Sequence, residues 1–250
     1  MRIPRLRAAI LRGIPSVAGD QLLEARKMAE DEFGISVLQM MENAGRNLAD
    51  LAMAYMGVPR GKAAVVLAGG GFTGGGGMVA ARHLINRGVA VGLALHVKAK
   101  NIPEETARQI HTLQKMEVAT LLLADEEIAR LDFMESADVV LDTLVDYSLE
   151  GEPAGPVVAA IGAINRSYKR VLSLGAPSGL NPDTGEAGEN CVRARATLAV
   201  GLPTAGLFGE EARRLVGRVY LADIGIPREV YRAFDLEVGP VFASGSLVGL

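Results

Sequence analysis

The residues that first point to chemistry read GGGFTGGGG, Gly69 to Gly77, where only Phe72 and Thr73 interrupt the glycines. Gly69, Gly71 and Gly74 satisfy G-x-G-x-x-G between an apolar run, Ala63 to Ala68, and a helix-forming stretch, MVAARHLINRG. Glycine admits positive φ and lets backbone N–H groups approach an anion with no Cβ in the way. The helix that follows adds partial positive charge at its N-terminus. The chemistry on offer is the cradling of a phosphate or pyrophosphate by Gly71, Phe72, Thr73, Gly74, Gly75 and Gly76. The plain alternative is a glycine-rich turn that holds no ligand.

Neighbouring residues narrow that chemistry. A dinucleotide fold with the usual ribose contacts ends its second strand on an acid. Here that strand ends Leu95-His96-Val97-Lys98, which disfavours a standard NAD-dependent dehydrogenase. Lys98 and Lys100 either meet an extra phosphate or form a solvated turn. No Gly-Lys-Ser/Thr follows the glycines, so the loop is not a Walker A loop. There is no G-x-S-x-G elbow of a serine hydrolase. His83, His96 and His111 fall in separate elements without zinc-ligand spacing. Among the acids, Asp138 reads as a strand-edge residue, and Asn181 and Asp183 read as a turn bonding its own backbone.

The elements that must position these residues alternate. Helices are expected at about 19–32 and, capped by Ser36, up to Gly57. The continuous apolar run Ala63 to Ala68 reads as a strand covered on both faces, and Val89 to Leu95 as a second. Further strands are expected at Val118 to Leu123, Asp138 to Asp142, Val171 to Leu174, Ala196 to Val200 and Arg218 to Ile224, with helices at Pro103 to Met116 and Pro156 to Tyr168. Such alternation predicts an α/β fold: a Rossmann-like three-layer sandwich around a mostly parallel sheet. The loops at the carboxyl ends of its strands, Gly69 to Gly77, Asp142 to Gly151 and Gly175 to Gly185, should line the binding crevice.

Composition sets the outer limits. The chain of 250 residues is 49% hydrophobic, enough for one sizeable core. A net charge of −3 gives no field to hold a polyanion, so nucleic acid is not an expected partner. No apolar run approaches the roughly 20 residues of a membrane span. Cys191 is the single cysteine, so no internal disulfide forms, which fits a reducing, cytoplasmic setting. Residues 1–17 are expected as an N-terminal arm, 18–230 as the core and 231–250 as a C-terminal tail of one domain.

Several segments, in order, resemble the YjeF N-terminal domain family, the NAD(P)H-hydrate epimerases. They are the opening helices with Met-Glu-Asn-Ala-Gly-Arg at Met41 to Arg46, the glycine segment VVLAGGGFTGGGGMVAARHL, and the later DVVLDTL, SLGAPSGLNPDTGE and GRVYLADIGIP. The resemblance implies a Rossmann-like domain, a homodimer, and a hydrated NAD(P)H ligand whose two epimers are equilibrated. It also implies a potassium ion, held here by Thr73, Asp142 and Ser178. Without that resemblance, Asp142 is equally a residue that satisfies loop N–H groups. The family's glycine loop typically reads Gly-Pro-Gly-Asn-Asn-Gly-Gly-Asp-Gly; its Asn positions fall on Phe72 and Thr73, and its acid on Gly76. The acid of the Asp-Ile-Pro-Ser-Gly segment falls on Gly175, and the Phe-Gly-Thr-Gly segment on Val145-Asp146-Tyr147-Ser148.

Three functions therefore compete. One is a protein that binds a nucleotide-like ligand at Gly71 to Gly76, Asp146 and Gly175 but has altered or little epimerase activity, because Gly76 and Gly175 carry no titratable group. The second is an active epimerase with relocated acids, for which Asp146 and Asp142 are the candidates. The third is a non-enzymatic scaffold. Phe72 and Tyr147 either stack on a ring or close the pocket, and returning acids to positions 76 and 175 together is expected to improve any activity if the rest of the pocket survives.

Overall fold

Alternation of side chains decides how the sheet is covered. In β1 (Ala63–Ala68), Ala64, Val66 and Ala68 join one apolar cluster while Val65 and Leu67 join another on the opposite face. That period of two is what a strand buried on both sides requires. The computed structural model describes residues 13–97, 102–123, 134–147 and 152–250; most of the expected N-terminal arm, Lys98, Lys100 and Ser148 lie outside the described residues. The other strands are β2 (Ala90–Leu95), β3 (Thr120–Leu122), β4 (Val139–Thr143), β5 (Arg170–Leu174), β6 (Ala196–Val200), β7 (Arg218–Ala222) and β8 (Leu247–Gly249). They form one sheet in the order β3-β2-β1-β4-β5-β6-β7-β8. All neighbours pair in parallel except β7 with β8.

Helices α1 (Gly19–Asp31), α2 (Val37–Met56), α3 (Phe72–Asn86) and α4 (Glu104–Lys115) supply the apolar cluster on one face, and α5 (Pro156–Arg166) that on the other. Short helices α6 (Arg213–Val216) and α7 (Arg228–Tyr231) finish the β6–β8 end. The three-layer α/β arrangement read from the sequence is the one that forms. From β1 the chain steps outward to β2 and β3, then returns to place β4 on β1's other side. The β1–β4 boundary is thus the topological switch point, where such sheets bind ligands.

Two expectations need correction. Residues 231–250, expected as a C-terminal tail, carry the edge strand β8 at Leu247–Gly249, too short and too glycine-flanked to announce itself. And the glycine run is mostly helix, not loop, because α3 already begins at Phe72. Its glycines are spacers. A Cβ on Gly74 would strike the Gly69 carbonyl, and one on Gly77 the Thr143 side chain of β4. One on Gly75 would lie 2.5 Å from Met41 Sδ, and one on Gly76 2.8 Å from Leu174 Cδ2. From the other side, Gly45 of α2 faces Val79 and the Gly76 carbonyl with no room for a methyl group. Helix propensity disfavours glycine by about 1 kcal/mol per residue; here close packing against α2 and the sheet overrides it.

The segment Met41 to Asn47 is the hub of that packing. Glu42 bonds Arg82 and His83 of α3, the latter at 2.8 Å. Asn43 Nδ2 donates to the Ile224 carbonyl (3.2 Å), and Asn47 Nδ2 to that of Asp223 (3.1 Å). Asn47 Oδ1 accepts from Ser246 Oγ at 2.8 Å, so one turn of helix ties α3, the β7 loop and the approach to β8 together. Ser36 caps α2 as expected, in reciprocal bonds with Gln39. Gly77→Ala is expected to destabilise the fold by about 1–3 kcal/mol through overpacking. Gly162→Ala in α5, where only the flexible tip of Arg166 lies near, should stabilise it by about 0.5–1 kcal/mol. Urea denaturation of both variants reads the difference in sign.

Candidate functional site

A cleft of about 290 Å³ opens at the carboxyl ends of β4 and β5. Thr73, Asp146, Tyr147, Leu174, Asn181 and Glu186 are among its walls. Its size is at the lower end of the roughly 300–1,000 Å³ typical of ligand pockets. Three loops meet there because parallel strands deliver their carboxyl ends to one rim.

Below the cleft lies Asp142, fully buried near the end of β4. Its Oδ1 accepts from Ser178 Oγ at 2.6 Å. Its Oδ2 accepts from Ser173 Oγ (2.7 Å) and the Ser178 N–H (2.9 Å). Burial pushes this carboxyl above the usual range, against the opposing pull of those bonds and of the Leu144 backbone. Among the described residues no basic side chain bonds to it. Ser178 Oγ also accepts from the Val145 N–H at 3.2 Å. Asp142 and Ser178 together staple the β4 loop to the β5 loop. Thr73 joins them only through the 145–146 segment, since its N–H donates to Asp146 Oδ2 at 3.0 Å.

That last bond changes the reading of the glycine segment. Gly71, the N-cap of α3, has no side chain to offer, and Asp146 caps the helix from across the cleft. A Cβ on Gly71 would come within 2.6 Å of its carboxylate. The chain's own anion therefore stands where a phosphate was expected to be cradled. Asp146 Oδ1 also accepts from the Tyr147 N–H at 2.7 Å.

Of the residues the sequence nominated, Thr73 and Asp146 line the cleft; Gly71, Phe72, Gly74, Gly75, Gly76, Gly175, Asp142 and Ser178 do not. Phe72 lies beneath the Arg26 guanidinium, 4.3 Å from its ring centroid. Positions 76 and 175 are filled rather than vacant: Leu174 occupies the space beside Gly76, and the Tyr147 ring that beside Gly175, whose φ is +79°. An acid at either place would have to move its neighbour: the added Cβ alone would stand 2.8 Å from Leu174 Cδ2 and 3.1 Å from the Tyr147 ring. Asn181 makes the local turn expected, accepting from the Asp183 and Thr184 N–H groups. The Asp183 carboxylate does not bond its own turn; it accepts from Gly19 N–H at 2.6 Å, capping α1. Among the described residues no His, Cys, Asp and Glu cluster suits a metal ion.

Arg26 went unread in the sequence. It is buried, and that desolvation lowers its pKa against the opposing pull of the nearby Asp146. The available signal was an arginine on the apolar stripe of Leu22, Ala25 and Ala29. Ser173, a polar residue within a buried strand, was the corresponding signal for the Asp142 site.

Comparison with known proteins agrees with this geometry. The YjeF-related protein N-terminus family matches residues 37–206. An NAD(P)H-hydrate epimerase of Dehalogenimonas lykanthroporepellens is 39% identical over 91% of this chain and 89% of its own length. A bifunctional NAD(P)H-hydrate repair enzyme of Moorella thermoacetica is 32% identical over 86% of this chain. The matched region is 41% of that enzyme's length. The crystal structure of yeast YNL200c shares the fold, with a TM-score of 0.79 over 95% of this chain and all of the yeast one, at 19% identity. No helix among the described residues is long and apolar enough to cross a membrane. With its family's sequence signature spread over a sheet whose switch point carries the cleft, this chain belongs to the YjeF-related N-terminal family.

Proposed function

We propose that the protein binds hydrated NAD(P)H with the nicotinamide end in this cleft, and that it epimerises the hydrate at an altered, low rate. The observation that carries the reading is the convergence of Thr73 and Asp146, above the Asp142–Ser178 pair, at the switch point of a sheet whose relatives are NAD(P)H-hydrate epimerases. Electrostatics favours the ring over the phosphates. Asp146, Glu152 and Glu186 line the cleft, and no basic side chain shares that lining among the described residues. A pyrophosphate would be repelled there, whereas a neutral hydrated ring would not. The low rate follows from geometry: Leu174 and Tyr147 fill the places beside Gly76 and Gly175, leaving Asp146 as the one nominated acid in the wall.

A monovalent cation is part of the reading. A fully buried carboxylate with no basic partner among the described residues, flanked by the Ser178 hydroxyl, is a hard-oxygen donor set that suits potassium, with Thr73 at the head of α3 nearby. Such an ion would offset the charge of Asp142. A homodimer in a cytoplasmic setting completes the proposal, the latter supported by a lone, buried Cys191 thiol.

Chiral chromatography of NADPH hydrate with the purified protein is expected to show equilibration faster than the spontaneous process. Asp146→Asn should slow it by on the order of 10²-fold. A wild-type rate equal to the spontaneous one removes the epimerase reading, and an unchanged Asp146→Asn rate leaves Asp146 as a cap alone. Replacing choline chloride by potassium chloride at equal ionic strength should raise the melting temperature of wild type but not of Asp142→Asn; equal response of both excludes the ion from this place. Light scattering should give the mass of two 26.3 kDa chains, and the mass of one contradicts the dimer.

A further inference from the structure

We infer that Tyr147 is a specificity-determining residue whose hydroxyl grips the hydroxyl of the hydrated nicotinamide ring, an inference that rests on the ring occupying the cleft as proposed above. Among the described residues the Tyr147 hydroxyl is buried and has no hydrogen-bond partner. Native structures rarely leave such a group idle, because it has lost water and gained nothing. Tyr55, His96, Thr204 and Tyr231 also carry buried unpartnered atoms, but none of them lines this cleft, and Tyr147 does.

The phenol is held in place rather than left to wander. Its backbone N–H donates to Asp146 Oδ1 at 2.7 Å, and Asp146 is itself fixed on the Thr73 N–H at the head of α3. Its ring edge and hydroxyl lie 3.1 Å from where a Cβ on Gly175 would be. Gly175 has φ of +79°, a conformation that side-chain-bearing residues rarely adopt. Tyr147 and Gly175 are therefore a matched pair: the ring takes the room that a residue at 175 would fill. Burial and the nearby Asp146 charge push the phenol pKa well above its ordinary value, so it stays protonated at neutral pH.

A protonated phenol donates one hydrogen bond and accepts others, which complements an alcohol. The rest of the wall suits a small ring with one polar edge: Leu174, Pro177 and Val145 are apolar, and Asn181 is polar. A site built to bond a hydroxyl discriminates strongly against the analogue without it, because its own polar group is then left unpaired. The hydrate and plain NADPH differ in that group among others, and NADPH is the natural comparison.

Calorimetric titration with NADPH hydrate and with NADPH tests this directly, on wild type, Tyr147→Phe and Gly175→Ala. Wild type is expected to bind the hydrate at least about tenfold more tightly than NADPH. Tyr147→Phe should lose most of that preference, bind NADPH as before, and melt no lower than wild type in the absence of ligand. Gly175→Ala, which pushes the ring aside, should lose the preference too. An undiminished preference in Tyr147→Phe overturns the inference, as does equal weakening of both ligands with a lowered melting temperature, which marks a structural role. Wild type that binds neither ligand, or both alike, also overturns it. Loss of preference in a protein that shows no turnover upholds the inference while removing the epimerase reading.

Discussion

The structure depends on how closely α3 sits. A helix ordinarily stands off a sheet by the length of its side chains. Here the first two turns of α3 present hydrogen atoms to Gly69, Thr143, Leu174 and Met41, and Gly45 of α2 presents another to Val79. The backbone of α3 is thereby sunk into the β1–β4 boundary. That seating fixes where Thr73 stands and brings the helix N-terminus within reach of Asp146 on the next strand's loop. Widen the gap, and the cleft loses its wall.

Carboxylates then tie the loops to this frame. Asp138 opens β4 by bonding Lys62 (2.7 Å) and the Ala63 N–H (3.0 Å) at the start of β1. Asp142 closes it by stapling Ser173 and Ser178, Asp146 caps α3, and Asp183 caps α1 from the β5 loop. Each acid serves backbone or hydroxyl donors far away in sequence, so the rim is held by long-range hydrogen bonds where apolar contacts cannot reach. For Asp142 the consequence is electrostatic. A fully buried carboxylate costs more than its donors return, to judge by the upward pKa, and a cation alongside would reverse that balance.

What the sequence made legible was whatever depends on period and punctuation. Strands β1, β4, β5 and β6 stand out as apolar runs that end in loops, and α2 as a stripe between Ser36 and Gly57. The meeting of the loops after β1, β4 and β5 at one rim followed from parallel topology alone. Less legible were features set by the third dimension. GGGFTGGGG reads as a loop by local propensity, yet packing makes it a helix. Asp146 as a remote cap has no local signature, since the capped residue, Thr73, is 73 positions away. Nor does sequence alone reveal that Leu174 and Tyr147 fill the space beside Gly76 and Gly175.

That last point alters how the substitutions should be understood. Read along the chain, glycine in place of an acid is a deletion. Read in space, each glycine is paired with a large neighbour that takes the room beside it, and residues in contact do not act independently. Beside Gly76 stands the apolar end of Leu174, and beside Gly175 the neutral Tyr147 phenol. Negative charge stands at the rim, where Asp146, Glu152 and Glu186 are in the wall. The cleft joins an acidic mouth to the apolar Leu174 and the neutral Tyr147 phenol. That combination is set by the close packing around Gly76 and Gly175, where a larger residue would have to displace Leu174 or Tyr147.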